Sequence, residues 1–205
     1  MTKISLVEDE IDLEKSELLY DFQNNFSAED WNIIRGDSDW SVQPNAIRGT
    51  YKGPELHSQI FFNKPVKGDV VMEFDAKLIA PSIHDIIWLW KTSFEAEPWG
   101  EGYLGCLAGW YDDYLGIEKL PDYNARVLGR TYHLESDRNY HIISGTANKH
   151  NFIILEGELV CFFTDPAAPS IEKEGFFGFG IYEADAEYSN LKVYRPNLQP
   201  KEFGY

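Results

Sequence analysis

The sequence predicts an all-β protein, built as a sandwich or barrel of short antiparallel strands. From Leu18 onward, short apolar runs alternate with clusters of Gly, Pro, Asn and Asp, which is the pattern of strands joined by turns. No helical periodicity longer than about ten residues interrupts this pattern. Aromatic residues make up 15% of the 205-residue chain and favour strands. The length is typical of a single domain.

The strands can be assigned in order from the alternation of apolar residues and turn residues. Gln43-Pro44-Asn45 marks the turn of the first hairpin, and Glu156-Gly157-Glu158 that of a later one. In the stretch 70–79, Met72 and Phe74 lie on one face, with Glu73 and Asp75 on the other. The predicted strands are 18–22, 40–42, 46–51, 58–63, 70–79, 85–92, 103–111, 115–120, 126–134, 139–145, 151–155, 159–164, 175–182 and 187–194.

Both ends of the chain differ in composition from its middle. Residues 1–16 are acidic and are predicted to form a lead outside the sandwich, which spans 17–197. Pro196 and Pro200 are expected to end the strand pairing, because proline cannot donate a backbone hydrogen bond. Residues 198–205 are therefore predicted to be a tail.

Charge and composition exclude several functions. Lys and Arg number 18 against 34 Asp and Glu, a net charge of −16, which disfavours nucleic acids and anionic membranes as partners. The start of the chain lacks the apolar core of a signal peptide, and no apolar run reaches the ~20 residues of a membrane-spanning helix. Cys106 and Cys161 are expected to be reduced core thiols. The sequence therefore predicts a cytoplasmic protein.

The last third of the chain carries a family resemblance. Ile154-Leu-Glu-Gly-Glu-Leu-Val160, Gly175-Phe-Phe-Gly-Phe-Gly-Ile181 and Tyr188-Ser-Asn-Leu-Lys-Val-Tyr194 resemble the carboxy-terminal half of concanavalin A-like lectin/glucanase jelly rolls. Asp69–Lys77 resembles their central strand. Over residues 17–196 the chain is most similar to the YesU-like proteins, a small bacterial family of unassigned function associated with plant-polysaccharide utilisation. The resemblance implies an antiparallel two-sheet jelly roll and leaves the activity open.

Two carboxylates are the candidate catalytic residues. Retaining glycosidases of this fold carry Glu-x-Asp-x-Glu on a strand, which directs the acids into one cleft. The matches at 10–14 and 183–187 fall in the acidic lead and in a predicted turn. Glu73 and Asp75 are preferred, because a central strand can supply a partly buried carboxyl with a raised pKa beside a second carboxylate.

Aromatic residues are the candidate ligand-binding residues. The alternation places His84, Trp88 and Trp90 on one face of their strand, although a run that is apolar on both faces also suits the core. Flat aromatic rings can stack on the apolar faces of sugars. The predicted cleft is lined by His84, Trp88, Trp90, Trp99, Tyr103, Trp110 and Tyr111.

A basic segment provides a catalytic alternative. A lyase acting on uronate sugars needs a cation for the carboxylate and a Tyr or His for the proton, which Arg126, Arg130, Tyr132 and His133 would supply. No spacing of the five histidines predicts a metal site. Calcium is kept as an alternative, because it binds many jelly rolls, although Asn190 stands where such domains often have Asp.

Three functions are compatible with these residues. The preferred one is binding of a carbohydrate or sugar-derived ligand in a Trp/Tyr-lined cleft, in saccharide utilisation and without a cofactor. The second is an oligosaccharide-active enzyme, either a glycoside hydrolase or a uronate lyase. The third is a structural or interaction domain, such as a homodimer. The sequence does not decide whether the protein is an enzyme.

Overall fold

The protein is a sandwich of two large antiparallel sheets, with a small third sheet on one outer face. A computed structural model describes residues 3–93, 100–109, 113–168 and 173–201. Each large sheet has eight strands, which confirms the predicted all-β jelly-roll class. Within the described residues no helix has the length and apolar character needed to cross a membrane.

The strands are numbered in chain order. The first ten are β1 (Lys3–Ser5), β2 (Asp9–Asp12), β3 (Glu17–Asp21), β4 (Trp31–Arg35), β5 (Asp39–Gln43), β6 (Ala46–Thr50), β7 (His57–Phe62), β8 (Val66–Lys67), β9 (Val70–Leu78) and β10 (Ile86–Thr92). The others are β11 (Gly102–Gly109), β12 (Tyr114–Leu120), β13 (Asn124–Thr131), β14 (Tyr140–Ala147), β15 (His150–Leu155), β16 (Glu158–Thr164), β17 (Glu174–Tyr182), β18 (Ala186–Arg195) and β19 (Leu198–Pro200). A 3-10 turn, Ala28–Asp30, precedes β4.

The two large sheets interleave distant parts of the chain. Sheet 1 has the strand order β16-β15-β14-β9-β18-β6-β5, with β3 also pairing with β18. Sheet 2 has the order β13-β12-β11-β10-β17-β7-β4, with β8 also pairing with β17. β4, which forms one edge of sheet 2 and carries Arg35, is not among the predicted strands.

The main core lies between the inner faces of the two sheets. The alternation predicted for β9 is confirmed, because Met72 and Phe74 are buried in this core while Glu73 faces outward. From sheet 2, Trp88 and Phe179 pack against Phe74 at ring-centroid distances of 5.7 and 5.3 Å. Large aromatic rings therefore fill the space between the sheets.

A third sheet joins the two ends of the chain. β1, β2 and β19 pair with one another, and Ile4 and Ile11 pack on Val71 and Ile143 on the outer face of sheet 1. The segments predicted as an outside lead and tail are thus part of the fold. Burial of the apolar stripe on sheet 1 stabilises this pairing. Pro200 takes part as an edge-strand residue opposite Asp9, rather than ending the pairing.

Candidate functional site

The outer face of sheet 2 is concave. Arg35, at the end of β4, lies within hydrogen-bonding reach of the Tyr123 hydroxyl in the turn between β12 and β13. Four strands separate β4 from β12, which on a flat sheet would place them about 24 Å apart at ~4.8 Å per strand. A single arginine side chain cannot span that distance. The sheet and its β12–β13 turn therefore curl toward this side, which we call the concave face.

A glycine on β17, Gly180, forms a low floor in the middle of the concave face. Gln59 on β7, Gly180 on β17 and Ile87 on β10 lie side by side on neighbouring strands. A Cβ added to Gly180 would lie 3.1 Å from a methyl carbon of Ile87 and 3.6 Å from Cγ of Gln59. Gly178 lies one pair further along β17, but the Phe61 ring covers it, because a Cβ there would lie 2.7 Å from Phe61 Cδ1. The low floor is thus limited to the surroundings of Gly180, between the side chains of Gln59 and Ile87.

Gln59 is the most unusual polar residue on this face. Its neighbours Ser58 and Ile60 face the interior, so its amide points to the concave face. The side chain is 4% exposed, and the amide nitrogen has no hydrogen-bond partner among the described residues. An unsatisfied buried donor costs on the order of 1–3 kcal/mol. Its amide nitrogen is therefore an unused donor buried next to Gly180.

A His–Tyr ring pair stands next to Gln59. His57 and Tyr182 occupy facing positions on β7 and β17, and their ring centroids are 4.5 Å apart. Burial lowers the pKa of His57, and the nearby charge of Arg35 lowers it further. Burial raises the pKa of Tyr182, assisted by Glu183 and Asp85. Both rings are therefore neutral near pH 7, and both are only partly buried, so they present flat polar surfaces to a ligand.

Asp85 closes the same end of the concave face. Its carboxylate accepts from His84 Nδ1 at 2.7 Å and from the Cys106 thiol at 3.4 Å. Gly109 allows this approach, because a Cβ there would lie 2.4 Å from the Cys106 sulfur and 2.8 Å from Asp85 Oδ1. Burial raises the pKa of Asp85, and the charge of Asp113 adds to the effect. Burial also raises the pKa of Cys106, which is therefore a thiol and not a reactive thiolate.

Three of the seven predicted cleft residues lie elsewhere. Trp88, Trp90 and Tyr103 are 0% exposed and belong to the core between the sheets, so the predicted sugar stacking has no exposed ring face to act through. The Trp90 indole donates to Thr146 at 2.9 Å, as a core tryptophan does. Trp99, Trp110 and Tyr111 lie outside the described residues.

His84 alone of the described cleft candidates borders the concave face. The predicted alternation put it on the face of Trp88 and Trp90, but β10 begins only at Ile86. Asp85, the residue immediately before β10, has a left-handed φ of 66°. This φ breaks the alternation and leaves His84 partly exposed. Of the predicted cleft residues that the structure describes, His84 therefore lies at the concave face, in contact with Asp85.

The predicted catalytic pair lies on the opposite side of the molecule. Glu73 and Asp75 are on the outer face of sheet 1, where His141 sits between them: its Nε2 is 3.5 Å from Glu73 and its Nδ1 is 2.8 Å from Asp75. Tyr194 donates to Glu73 at 3.0 Å. The hydrogen bond from His141 lowers the pKa of Glu73, and Tyr194 contributes. Glu73 is thus held as a carboxylate, which is the opposite of the protonated acid predicted for it.

The predicted lyase residues do not form one site, although the Arg130 guanidinium lies 5.8 Å from the centroid of the Tyr132 ring. Arg130 is paired with Glu158 at the sheet edge, and His133 with Asp113. Tyr132 packs on the core against Tyr140, with ring centroids 6.0 Å apart. Arg126 lines a separate cavity near the β12–β13 turn. In the part of the chain that the structure describes, no group of three or more His, Cys, Asp or Glu residues is suited to hold a metal ion.

The fold is that of jelly-roll sandwiches found among lectins and glucanases, as three solved structures illustrate. A Bacillus subtilis protein of unknown function with a galectin-like fold superposes with a TM-score of 0.69 at 12% identity, over 88% of this chain and 96% of that one. A carbohydrate-binding module from Bacillus subtilis, CBM66, gives 0.59 at 19% identity over 81% and 96%. The Bacillus licheniformis β-glucanase gives 0.62 at 10% identity over 89% and 100%.

These similarities are similarities of fold. No protein-family model matches the sequence, and no curated protein matches it. The resemblance to the YesU-like proteins therefore stays a prediction.

Proposed function

We propose that this protein binds a saccharide, or a small sugar-derived ligand, on its concave face. The observation that carries the proposal is Gln59, whose buried amide nitrogen has no partner among the described residues and which borders the glycine floor. A ring oxygen or hydroxyl placed over Gly180 would accept from this amide. The ligand would then recover the free energy that the free protein loses by leaving the donor unsatisfied.

The neighbouring residues have the chemistry of sugar recognition. His57 and Tyr182 present flat rings with polar edges, which suit a sugar with an apolar face and a rim of hydroxyls. The Asp85 carboxyl next to them can accept from a hydroxyl. Further support comes from the fold, because one similar structure is a carbohydrate-binding module.

The test uses a substitution that separates binding from stability. Saccharides that bind the full chain are first found on a glycan array, and their affinities are then measured by isothermal titration calorimetry. Gln59→Leu keeps the side-chain volume and removes the amide. We expect binding to weaken at least about tenfold while the free energy of unfolding rises by about 1 kcal/mol, because an unsatisfied buried donor is gone.

The matched control is Gln43→Leu, which changes an exposed glutamine on β5 of the other sheet. It should alter neither quantity measurably. Unchanged affinity in Gln59→Leu, with the fold intact, would contradict the proposed site. Binding that is lost together with stability would show that Gln59 has only a structural role.

Hydrolysis is a second candidate, favoured by Asp85. Asp85 has a raised pKa and lies near the charge of Asp113. Both features are expected of a carboxylic acid that donates a proton beside a second carboxylate. With a bound oligosaccharide identified, release of reducing ends would be measured for the unmodified chain and for Asp85→Asn. Release that Asp85→Asn abolishes would establish an enzyme, whereas binding without release would leave the protein a binding module.

A further inference from the structure

A second cavity lies at the flank of sheet 2, by the turn between β12 and β13. Its volume is about 330 Å³, which is enough for one hydrated pyranose ring. It shares no residue with the site around His57, Gln59 and Tyr182. The lining residues are Glu101, Lys119, Leu120, Pro121, Asp122, Arg126 and Ala167.

Two of the four charged groups in this cavity are neutralised within the protein. Lys119 pairs with Asp165 at 2.7 Å and also donates to the carbonyl of Ala167 at 2.7 Å. Glu101 pairs with Lys173. Arg126 and Asp122, by contrast, have no ion-pair partner among the described residues and are exposed. The cavity thus presents one unpaired cation and one unpaired carboxylate that do not neutralise each other.

The wall behind Arg126 and Asp122 is held in place by a polar network. The Tyr103 hydroxyl donates to Asp165 at 2.9 Å, and the Ala167 backbone N–H donates to the same carboxylate at 2.9 Å. Tyr103 is anchored in the core, so the Lys119–Asp165 pair is tied to the interior of the sandwich. Such a fixed wall lowers the entropic cost of ordering a ligand against it.

We propose that this cavity binds a hydroxylated carboxylate of the size of a sugar acid. Arg126 would bind the carboxylate, since a guanidinium pairs with it through two hydrogen bonds. Asp122 would accept from a hydroxyl, and Leu120, Pro121 and Ala167 would contact the C–H surface of the ring. In a chain of net charge −16, an anion needs such a local cation to overcome general repulsion. The site and its ligand are distinct from those of the concave face.

Three probes separate the chemical contributions to binding. D-Glucuronate offers a carboxylate and hydroxyls, D-glucose offers hydroxyls alone, and L-alanine offers a carboxylate and an ammonium group. Affinities for the full chain are measured by calorimetry or by ligand-observed NMR. We expect glucuronate to bind best, and its affinity to fall as salt is added.

Arg126→Gln should weaken glucuronate binding at least about tenfold, since a hydrogen bond between charged groups is lost. The matched control is Arg130→Gln, which changes another exposed arginine of β13 outside the cavity and should leave the affinity unchanged. Thermal unfolding of both variants confirms that the fold is kept, which is expected because both residues are exposed.

Several results would overturn the proposal: no glucuronate binding, equal binding of glucose, tighter binding of alanine, or an unchanged affinity in Arg126→Gln. Gln59→Leu serves as a cross-check. It should leave glucuronate binding intact, so that failure of this proposal and failure of the concave-face proposal can be told apart.

Discussion

The partly exposed charge cluster on sheet 1 makes a specific prediction for stability as a function of pH. His141 lies between Glu73 and Asp75, and these two carboxylates raise its pKa from 6.5 to about 9. The folded protein therefore binds a proton that the unfolded chain releases near pH 6.5. Folding gains stability from this proton below about pH 6.5 and loses it as the pH rises through about 9.

The magnitude follows from the same shift. At about 1.4 kcal/mol per pH unit, the full shift corresponds to a little over 3 kcal/mol. The His141 side chain is 39% exposed, and solvent screening at such a site reduces the value, so we expect about 1–2 kcal/mol. For a domain of this length, that corresponds to roughly 2–8 °C in the melting temperature.

The assay compares the unmodified chain with His141→Gln, by urea unfolding at about pH 6, 8 and 10. The variant keeps every other titratable group, so the difference between the two proteins reports His141 alone. The unmodified chain should be more stable by about 1–2 kcal/mol at about pH 6, and the difference should vanish by about pH 10. A difference that is constant over this range, or that grows with pH, would refute the reasoning.

Three further predictions concern the core, the third sheet and the thiols. Trp90→Ala should lower the free energy of unfolding by about 3–5 kcal/mol in urea titrations, whereas Ile83→Ala, at an exposed site, should change it by less than about 0.5 kcal/mol. Ile11→Ala should cost about 2–4 kcal/mol in the same measurement, since Ile11 is 0% exposed; a negligible cost would mean that the third sheet adds no stability. Cys106 should resist an aromatic disulfide reagent at about pH 8 until the protein is unfolded, because burial raises its pKa and blocks access; rapid labelling of the folded chain would contradict this.

Strand positions were accessible from the sequence because they depend on local pattern. The alternation of β9, the turn at Glu156-Gly157 and the glycine-rich run of β17 each contain their own signal within about ten residues. The same local signal explains why the fold class was predicted correctly. The strands β1, β2 and β19 were not predicted, because each has only three or four residues and therefore carries little local signal.

The alternation of a strand specifies that two sets of side chains face opposite ways, but not what covers each set. On β9, the face of Glu73 could have been a cleft or the back of the sheet, and only the packing of the third sheet on Val71 decided that it is the back. On β10, both faces are apolar, and only the pairing with β11 and β17 showed that Trp88 and Trp90 point into the core.

The candidate site itself is a product of tertiary structure. Gln59, Asp85 and Gly180 are far apart in the chain and become neighbours because β7, β17 and β10 are adjacent in sheet 2. The raised pKa of Asp85 results from burial, which no local pattern encodes. By itself, the sequence determined most of the strands, the fold class and the acidic surface, because these follow from composition and short-range periodicity. The concave face, its unsatisfied amide and the ionised state of Glu73 were decided only by which strands pair and which faces they cover.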